Sequence, residues 1–214
     1  MVTYARLLKD FELTIYPLYI SRGQRNAEYE KASIEYFSNY FTGIYGEERI
    51  KKFKTVETNV PPHEFKEDLL TYMKEKGHPL RDPVIQMIGV QYAISLNTKF
   101  QENIKAILNA GVADDPFPHC TLKAMRANNI AICENLGDWE WVVTSANIDP
   151  FATKILYDKP LEIKWGSENE LPLEKTFTCY QPIEGKHCGK CLACTRRIQA
   201  FKDAQVEDPT EYSI

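Results

Sequence analysis

The sequence contains no run of about 18 apolar residues, the length that a membrane-spanning helix requires. Residues 1–10 also lack the long apolar core of a secretion signal. Basic side chains are not in excess, because 26 Lys and Arg residues stand against 30 Asp and Glu residues, a formal net charge of -4. This balance excludes a general attraction to nucleic acid or to anionic membranes. We therefore predict a soluble, cytoplasmic protein whose partners are small molecules, with no direct contact to nucleic acid or membrane.

Internal repeats, low-complexity segments and flexible linkers are also missing from the sequence. A chain of 214 residues can bury one good hydrophobic core, and a split into independent folding units is not required. The composition changes near residue 179, where apolar periodicity gives way to a segment rich in Cys, Gly and Lys. We therefore predict an α/β domain over residues 1–170 and a metal-binding C-terminal segment over residues 171–214.

Apolar stretches with the composition of β-strands alternate with stretches of helical periodicity. The predicted strands lie at 13–20, 50–60, 104–112 and 139–144, and the predicted helices at 4–11, 26–45, 64–76 and 82–93. This alternation predicts an α/β fold with a parallel sheet flanked by helices. Ligands of such sheets bind beyond the carboxyl ends of the strands.

The cysteines give the most specific signal in the sequence. Four of the six lie between residues 179 and 194, in the pattern Cys179-x8-Cys188-x2-Cys191-x2-Cys194. Thiolates at this spacing converge on one ion if the backbone bends tightly, and Gly185 and Gly189 allow such bends. Four sulfurs complete a tetrahedral Zn²⁺ site with no open position, so the site is predicted to be structural. Metal-ligand spacing also favours a reducing cytoplasm over a secreted disulfide scaffold.

Two other interpretations of these cysteines remain open. A Cys-x2-Cys-x2-Cys run also begins the iron–sulfur pattern of ferredoxins, but there a fourth ligand follows closely and precedes proline, whereas Thr195 and Arg196 follow Cys194 here. Redox-active thiols are the other alternative. His187 is interpreted as a solvated neighbour of the cluster, and Cys120 as a structural thiol.

Several motifs resemble those of the 7-cyano-7-deazaguanine synthases. The segment 171–180, Leu-Pro-Leu-Glu-Lys-Thr-Phe-Thr-Cys-Tyr, is similar to the end of that family, where Thr/Ser-Cys-Tyr precedes the same cysteine spacing. Residues 157–166 resemble its Asp-Lys-x-x-x-Ile helix opening, and residues 118–120, Pro-His-Cys, resemble its Pro-Asp-Cys loop. Gly23, Gln24 and Arg25 match its Tyr-x-Gly-Gln-Arg/Lys turn, and Arg81 corresponds to the arginine of Pro-Gly-Arg-Asn.

The resemblance implies a PP-loop ATP pyrophosphatase with an adenine-nucleotide-hydrolase-like, Rossmann-like sheet and a C-terminal zinc knuckle. It further implies an ATP-dependent, C–N bond-forming ligase of queuosine biosynthesis. The enzyme would convert 7-carboxy-7-deazaguanine and ammonia to 7-cyano-7-deazaguanine through an acyl-adenylate, using ATP and Mg²⁺. Fold relatives are often dimers, so a homodimer is expected.

The resemblance and the strand pattern together suggest nucleotide-site residues. Gly23, Gln24 and Arg25 would bind the cofactor, although Arg25 is equally well explained as a solvated turn residue. Asp114 and Asp115 follow a predicted strand at its carboxyl end, where they would contact Mg²⁺ or a base edge; a polar loop is the alternative.

Two basic residues are the catalytic candidates. Lys159, matched to a family lysine, would stabilise negative charge on phosphate. Arg81 is the second candidate, through its match to the Pro-Gly-Arg-Asn motif. An ordinary solvated lysine is the alternative for Lys159.

The sequence also departs from the family pattern. The phosphate-binding loop Ser-Gly-Gly-x-Asp-Ser and the strand before it are not found ahead of the first helix. We expect either an incomplete reading frame or a partner chain that supplies both. His119 replaces the aspartate of Pro-Asp-Cys, and Asp82 stands where the asparagine would be. The second hypothesis is therefore a non-catalytic or repurposed relative that acts as a binding or assembly subunit or modifies a different substrate.

Overall fold

The structure is a computed structural model that describes residues 1–213. In chain order these residues form α1 (Val2–Asp10), β1 (Leu18–Ser21), α2 (Ala27–Tyr45), β2 (Lys54–Glu57), α3 (Leu70–Lys76), α4 (Arg81–Phe100), β3 (Ala106–Asn109), α5 (Leu122–Leu136), β4 (Val142–Ser145), α6 (Lys159–Glu168) and α7 (Leu192–Ala204). Short 3-10 turns lie at His63–Phe65, Pro118–Cys120 and Leu173–Lys175. None of the described helices combines the length and apolarity needed to cross a membrane.

The chain divides into two compact units. The first unit comprises Met1–Thr58 and Lys159–Ile214, and the second comprises Asn59–Asp158. The boundary at residue 170 was predicted from composition, whereas these two units are defined by how compactly the chain packs. That boundary stays a prediction.

The first unit contains a pair of parallel strands. β1 and β2 run in register from the pair Leu18 and Lys54 to the pair Ser21 and Glu57. Helix α2 joins them, as a parallel connection requires. Phe37 and Phe41 lie one turn apart on α2, so they share a face, and both are fully buried against Ala5 and Leu8 of α1. This cluster is the main apolar core of the unit.

A second apolar cluster of the first unit supports the C-terminal segment. Phe201 of α7 packs with Val2 of α1 and with Leu173, which lies in the turn after α6. Gly166 of α6 makes this approach possible, since a Cβ atom there would lie 3.0 Å from the Leu173 side chain. The segment that carries the four cysteines is thereby attached to the helices of the unit.

The second unit has its own parallel pair, β3 with β4, in register from Ala106 and Val142 to Asn109 and Ser145. Val143 packs with Val90 and Ala93, which share a face of α4, and with Ile132 and Cys133 of α5. Helix α5 begins at Thr121, whose hydroxyl accepts a hydrogen bond from the Ala124 N–H, and ends at Gly137 in the left-handed conformation. Cys133 is fully buried in this core.

These elements confirm the predicted α/β class with parallel strands flanked by helices. Each predicted strand segment overlaps an observed strand, but the observed strands are four residues long, and β1 and β4 each end one residue beyond the predicted segment. Helix α4 is longer than predicted and continues through residues 94–100. The sheet consists of two separate two-stranded parallel pairs, one in each unit.

Candidate metal centre and an arginine-centred cluster

The sulfurs of the four C-terminal cysteines converge as the spacing predicts. All four ligand atoms lie within 4.8 Å of one another. The Sγ–Sγ distances are 4.0 Å between Cys179 and Cys191, 4.0 Å between Cys188 and Cys194, and 3.5 Å between Cys191 and Cys194. A tetrahedron with metal–sulfur bonds of about 2.3 Å has edges of about 3.8 Å. The four residues therefore fit a tetrahedral metal ion as they stand.

Backbone N–H groups point at these sulfurs. Gln181 and Cys188 each donate to Cys179 Sγ at 3.3 Å, and Cys191 donates to Cys188 Sγ at 3.3 Å. The N–H groups of Lys190 and Cys191 lower the pKa of the Cys188 thiol to about 6, because they stabilise its thiolate. Three of the four cysteines are buried, so the site is closed and suited to a structural ion.

His187 is buried beside the cysteines, which corrects the interpretation of a solvated residue. Its Nε2 accepts a hydrogen bond from the Thr178 N–H at 3.2 Å, and its ring packs on Phe177 with centroids 4.4 Å apart. The His187 N–H donates to Glu211 O, and its carbonyl accepts from the Ser213 N–H. His187 therefore attaches the C-terminal segment to the cysteine cluster.

Arg197 of α7 is a structural residue that sequence inspection missed. Only 8 % of it is exposed. Its guanidinium donates to Thr210 Oγ1 at 2.7 Å, to Thr176 Oγ1 at 2.8 Å and to Leu173 O at 3.1 Å. One buried side chain thus joins the segments before and after the cysteines, which no local pattern around residues 195–197 indicates.

A second cluster of polar side chains lies in the other unit, around Arg81. The Arg81 Nε donates to Asp82 Oδ1 at 2.6 Å. Its Nη2 lies 3.2 Å from His119 Nε2 and 3.8 Å from Cys120 Sγ. The Cys120 thiol in turn donates to Asp82 Oδ2 at 3.4 Å. The structure therefore joins the first turn of α4 to the loop that follows β3.

The protonation states in this cluster follow from the same contacts. Burial, together with the negative charges of Asp82 and Asp115, raises the pKa of the Cys120 thiol to about 12. Burial also lowers the pKa of His119 below its usual value, although the Asp82 carboxylate opposes that shift. Cys120 is accordingly a protonated thiol and His119 a neutral imidazole at neutral pH, so Cys120 is not an activated nucleophile.

Asp82, His119 and Cys120 carry metal-ligand atoms within 4.8 Å of one another. The Arg81 guanidinium, however, already contacts each of these residues. A second cation at the same atoms would be repelled by the guanidinium. We therefore interpret the cluster as an arginine-centred hydrogen-bond network.

The turn at residues 23–25 lies in the first unit, directly after β1. Gly23 has a φ angle of 71°. The amide of Gln24 is used within the turn, because its Oε1 accepts from the Arg22 N–H at 2.7 Å and its Nε2 contacts Tyr19 Oη and Glu30 Oε2, each at 2.7 Å. Arg25 is exposed. Gln24 thus stabilises the start of α2, and a nucleotide-binding role for Gly23, Gln24 and Arg25 stays a prediction.

The other predicted site residues are divided between the units. Asp115 lies in the second unit, where its carboxylate accepts from the Val112 N–H at 3.2 Å and acts electrostatically on His119. Asp114 is exposed beside it. Lys159 is the first residue of α6 in the first unit and is partly buried. The structure therefore brings Arg81 and Asp115 together around His119, while the roles predicted for Asp114 and Lys159 stay predictions.

The loop after β4 contains buried polar residues that sequence analysis did not single out. Ser145 and Asn147 are fully buried, and the Ser145 hydroxyl donates to Gly111 O at 2.6 Å. Burial opposes ionisation of Asp149, but hydrogen bonds from Thr144 and the Phe151 N–H, together with the Arg126 guanidinium, outweigh it and hold the pKa of that carboxyl below its usual value. The position of this loop at the carboxyl end of a predicted parallel strand was the available signal.

Comparison with known proteins identifies related sequences. The family model described as queuosine biosynthesis protein QueC matches residues 50–205. A 7-cyano-7-deazaguanine synthase of Caldicellulosiruptor bescii is 30% identical over 161 residues, which cover 75% of this chain and 65% of that protein. The Acetivibrio thermocellus synthase is 29% identical over 208 residues, 92% of this chain and 86% of that protein. A Caldicellulosiruptor saccharolyticus synthase is 33% identical over 146 residues, so the chain spans less than two thirds of the two Caldicellulosiruptor proteins.

Proposed function

The chain belongs to the family of the queuosine biosynthesis protein QueC, and from this premise we propose that it is a 7-cyano-7-deazaguanine synthase. The observation that carries the proposal is the family match over residues 50–205, which includes the four convergent cysteines. The named relatives support the same reaction for this chain, because their matched segments cover up to 92% of it. The substrates would be 7-carboxy-7-deazaguanine, ammonia and ATP.

The chemistry explains the need for ATP. A carboxylate is a poor electrophile, so its oxygen attacks the α-phosphorus of ATP, which displaces pyrophosphate and forms the acyl-adenylate. Ammonia then attacks the acyl carbon, AMP leaves, and a proton is lost to give the amide. A second ATP activates the amide oxygen in the same way, with release of pyrophosphate, and loss of AMP together with both protons of the nitrogen gives the nitrile. Mg²⁺ would accompany the ATP phosphates.

Arg81 and Lys159 are the residues we propose for the charged groups of this reaction. A guanidinium matches the geometry of carboxylate or phosphate oxygens, and an ammonium provides a compact positive charge. Asp114 and Asp115 would hold Mg²⁺, and Gly23, Gln24 and Arg25 would line the nucleotide site. We also propose a homodimer located in the cytoplasm.

The metal proposed for the cysteine cluster is zinc. Four sulfurs within 4.8 Å of one another, with three of their six edges at 3.5 to 4.0 Å, suit the tetrahedral geometry of Zn²⁺. A bound ion of this kind supplies folding energy and takes no part in the reaction, because all its positions are filled. We expect one zinc per chain by elemental analysis of protein purified without added metal.

The reaction is tested by incubating the protein with 7-carboxy-7-deazaguanine, ammonia and MgATP and detecting the nitrile and AMP by mass spectrometry. The Arg81→Gln and Lys159→Gln variants should lose at least about tenfold in kcat/KM, whereas Lys74→Gln, a change at an exposed lysine of α3, should be neutral. Absence of both nitrile and AMP formation would favour the repurposed, non-catalytic relative.

A further inference from the structure

The Arg81 side chain is held by neighbours that do not themselves need to touch a ligand. We propose that Asp82 and His119 are positioning residues that orient the Arg81 guanidinium to bind an anionic oxygen, carboxylate or phosphate, of the ligand. The identity of that ligand rests on the proposed function. The positioning itself rests on the geometry of the second unit alone.

Asp82 can orient Arg81 because its carboxylate is fixed at both oxygens. Its Oδ1 accepts from Arg81 Nε at 2.6 Å, and its Oδ2 accepts from the Cys120 thiol at 3.4 Å. Only 11% of the Asp82 side chain is exposed. A buried carboxylate that keeps two donors cannot turn without losing one of them, and such losses are costly in a buried site. The Arg81 Nε is therefore held in one direction.

His119 fixes the other end of the guanidinium. Arginine can only donate hydrogen bonds, so the contact of 3.2 Å between Arg81 Nη2 and His119 Nε2 requires an unprotonated Nε2. The imidazole must then be neutral and carry its proton on Nδ1. The geometry thus assigns one tautomer to His119, and the lowered pKa agrees with it.

The ring of His119 is itself held in place. It stacks on Phe117 with centroids 5.6 Å apart and planes 7° apart. Gly77 lies against both rings, since a Cβ atom there would be 2.8 Å from His119 Cε1 and 3.0 Å from Phe117. Gly77 is buried and has a φ angle of 77°, which a side chain would strain. The Gly77 backbone therefore holds the His119 ring in place, and the ring holds the Arg81 guanidinium.

The guanidinium nevertheless remains accessible to a ligand. The Arg81 side chain is 24% exposed, against 11% for each of its two positioning residues. It lies beside the loop that follows the carboxyl end of β3, the side of a parallel sheet where ligands bind. A planar cation with a buried counterion suits an anionic oxygen that approaches from solvent. Two sources of that oxygen exist in the proposed reaction, the ATP phosphates and the carboxylate of the deazaguanine.

The first test needs no ligand. In the ¹⁵N spectrum of imidazole nitrogens of the whole protein, His119 should show an unprotonated Nε2 and a protonated Nδ1 at pH 7.5. The Nε2 resonance should move in Arg81→Gln, because the hydrogen bond changes, and should stay unchanged in Lys74→Gln. A protonated Nε2, or an Nε2 signal indifferent to Arg81→Gln, would overturn the positioning role.

The second test separates positioning from simple structural support. We would measure kcat and KM for MgATP and for 7-carboxy-7-deazaguanine in pairs of variants, one keeping an acceptor and one removing it. The pairs are His119→Gln with His119→Leu, and Asp82→Asn with Asp82→Leu. Each leucine variant should raise KM for one of the two substrates by about tenfold, and each amide variant by less than about threefold.

The substrate whose KM changes identifies the oxygen that Arg81 contacts. Equal KM values in the amide and leucine variants, with an equal fall in melting temperature, would overturn the proposal, since a merely structural role predicts that result. A wild-type protein that forms neither nitrile nor AMP would contradict the proposed function. In that case the imidazole spectrum alone decides whether His119 and Arg81 are coupled as described.

Discussion

The cysteine cluster of the first unit and the arginine-centred cluster of the second unit both contain buried thiols, and their surroundings make those thiols chemically different. Cys188 faces backbone N–H groups, which lower its pKa to about 6. Burial and the Asp82 carboxylate, to which the Cys120 thiol donates a hydrogen bond, raise the pKa of that thiol to about 12. Both thiols are buried, at 5% and 6% exposure. At Cys188 the backbone N–H donors outweigh burial, whereas at Cys120 burial and the Asp82 carboxylate both raise the pKa of the thiol. The cysteine cluster therefore has donors that stabilise a thiolate, the form that binds metal, and the arginine-centred cluster keeps its thiol protonated.

The two clusters also differ in how the chain assembles them. The cysteine ligands all lie between residues 179 and 194, whereas Arg81 and His119 are separated by 38 residues and come from different elements. The geometry of the cysteine cluster depends on local turns and on the bound metal. The geometry of the arginine-centred cluster depends on the packing of the whole second unit, because its residues come from segments far apart in the chain. Variants in each cluster should consequently fail in different ways.

The largest effect is expected from Cys191→Ser, which removes one of four metal ligands at a partly exposed position. The variant should bind far less than one zinc per chain and lose about 3 kcal/mol or more of unfolding free energy, because metal binding is coupled to folding. Elemental analysis and chemical denaturation measure the two quantities. Cys133→Ser, a core thiol of the second unit, is the control and should keep its zinc. Full zinc content in Cys191→Ser would contradict the assignment of the site.

The next largest effect is expected from Arg197→Met, which removes hydrogen bonds around the cysteine cluster without removing a metal ligand. Arg197→Met leaves Thr176, Thr210 and Leu173 O without their buried donor, so unfolding free energy should fall by about 3 kcal/mol. Zinc content should remain one per chain, since Arg197 is not a ligand. Lys202→Met, on an exposed position of the same helix, should cost less than about 0.5 kcal/mol. A variant with normal stability would show that the Arg197 contacts contribute nothing.

A smaller effect is expected at Gly77, which tests the packing of the arginine-centred cluster. Gly77→Ala should cost about 2 to 3 kcal/mol, because φ is 77° with ψ at -178° and the new Cβ would meet His119 and Phe117. Gly137→Ala is the comparison: its φ of 62° and ψ of 28° lie in the left-handed helical region and the space around it is open, so only a conformational cost of about 1 kcal/mol applies. If urea denaturation shows that the two variants lose equal unfolding free energy, the contact with His119 does not contribute to stability.

The smallest effect should appear in the pH dependence of stability. The pKa of His119 is lowered in the folded state, so its contribution to stability is complete above the unfolded value of about 6.5 and is lost as pH falls below it. His119→Gln cannot titrate, and it should therefore lose less stability than wild type between pH 7.5 and 5.5, by roughly 1 kcal/mol or less. The charged or titratable neighbours Arg81, Asp82, Asp115 and Cys120 are retained in both proteins. If the unfolding free energies of wild type and His119→Gln change equally between pH 7.5 and 5.5, His119 has the same pKa in the folded and unfolded chain.

Element type was largely predictable from the sequence, whereas element ends were not. The apolar stretch 13–20 predicted a strand, but β1 begins only at Leu18, since Pro17 has no N–H to donate. The strand predicted at 104–112 is shortened at both ends, because Asn97 Oδ1 takes the Ile104 N–H and Asn109 Oδ1 takes the Gly111 N–H. Side chains that replace ladder hydrogen bonds leave no trace in hydrophobic periodicity.

The cysteine cluster follows from the sequence alone, because its ligands lie close together in the chain and local turns bring the sulfurs within 4.8 Å. Side-chain periodicity also predicted the four strands and helices α1 to α4, whereas α5 and α7 were found only in the structure. The protonation of Cys120, the tautomer of His119 and the burial of Arg197 follow from tertiary contacts. Each of those depends on polar groups from segments distant in the chain, and a one-dimensional pattern does not contain the distances that set their energies.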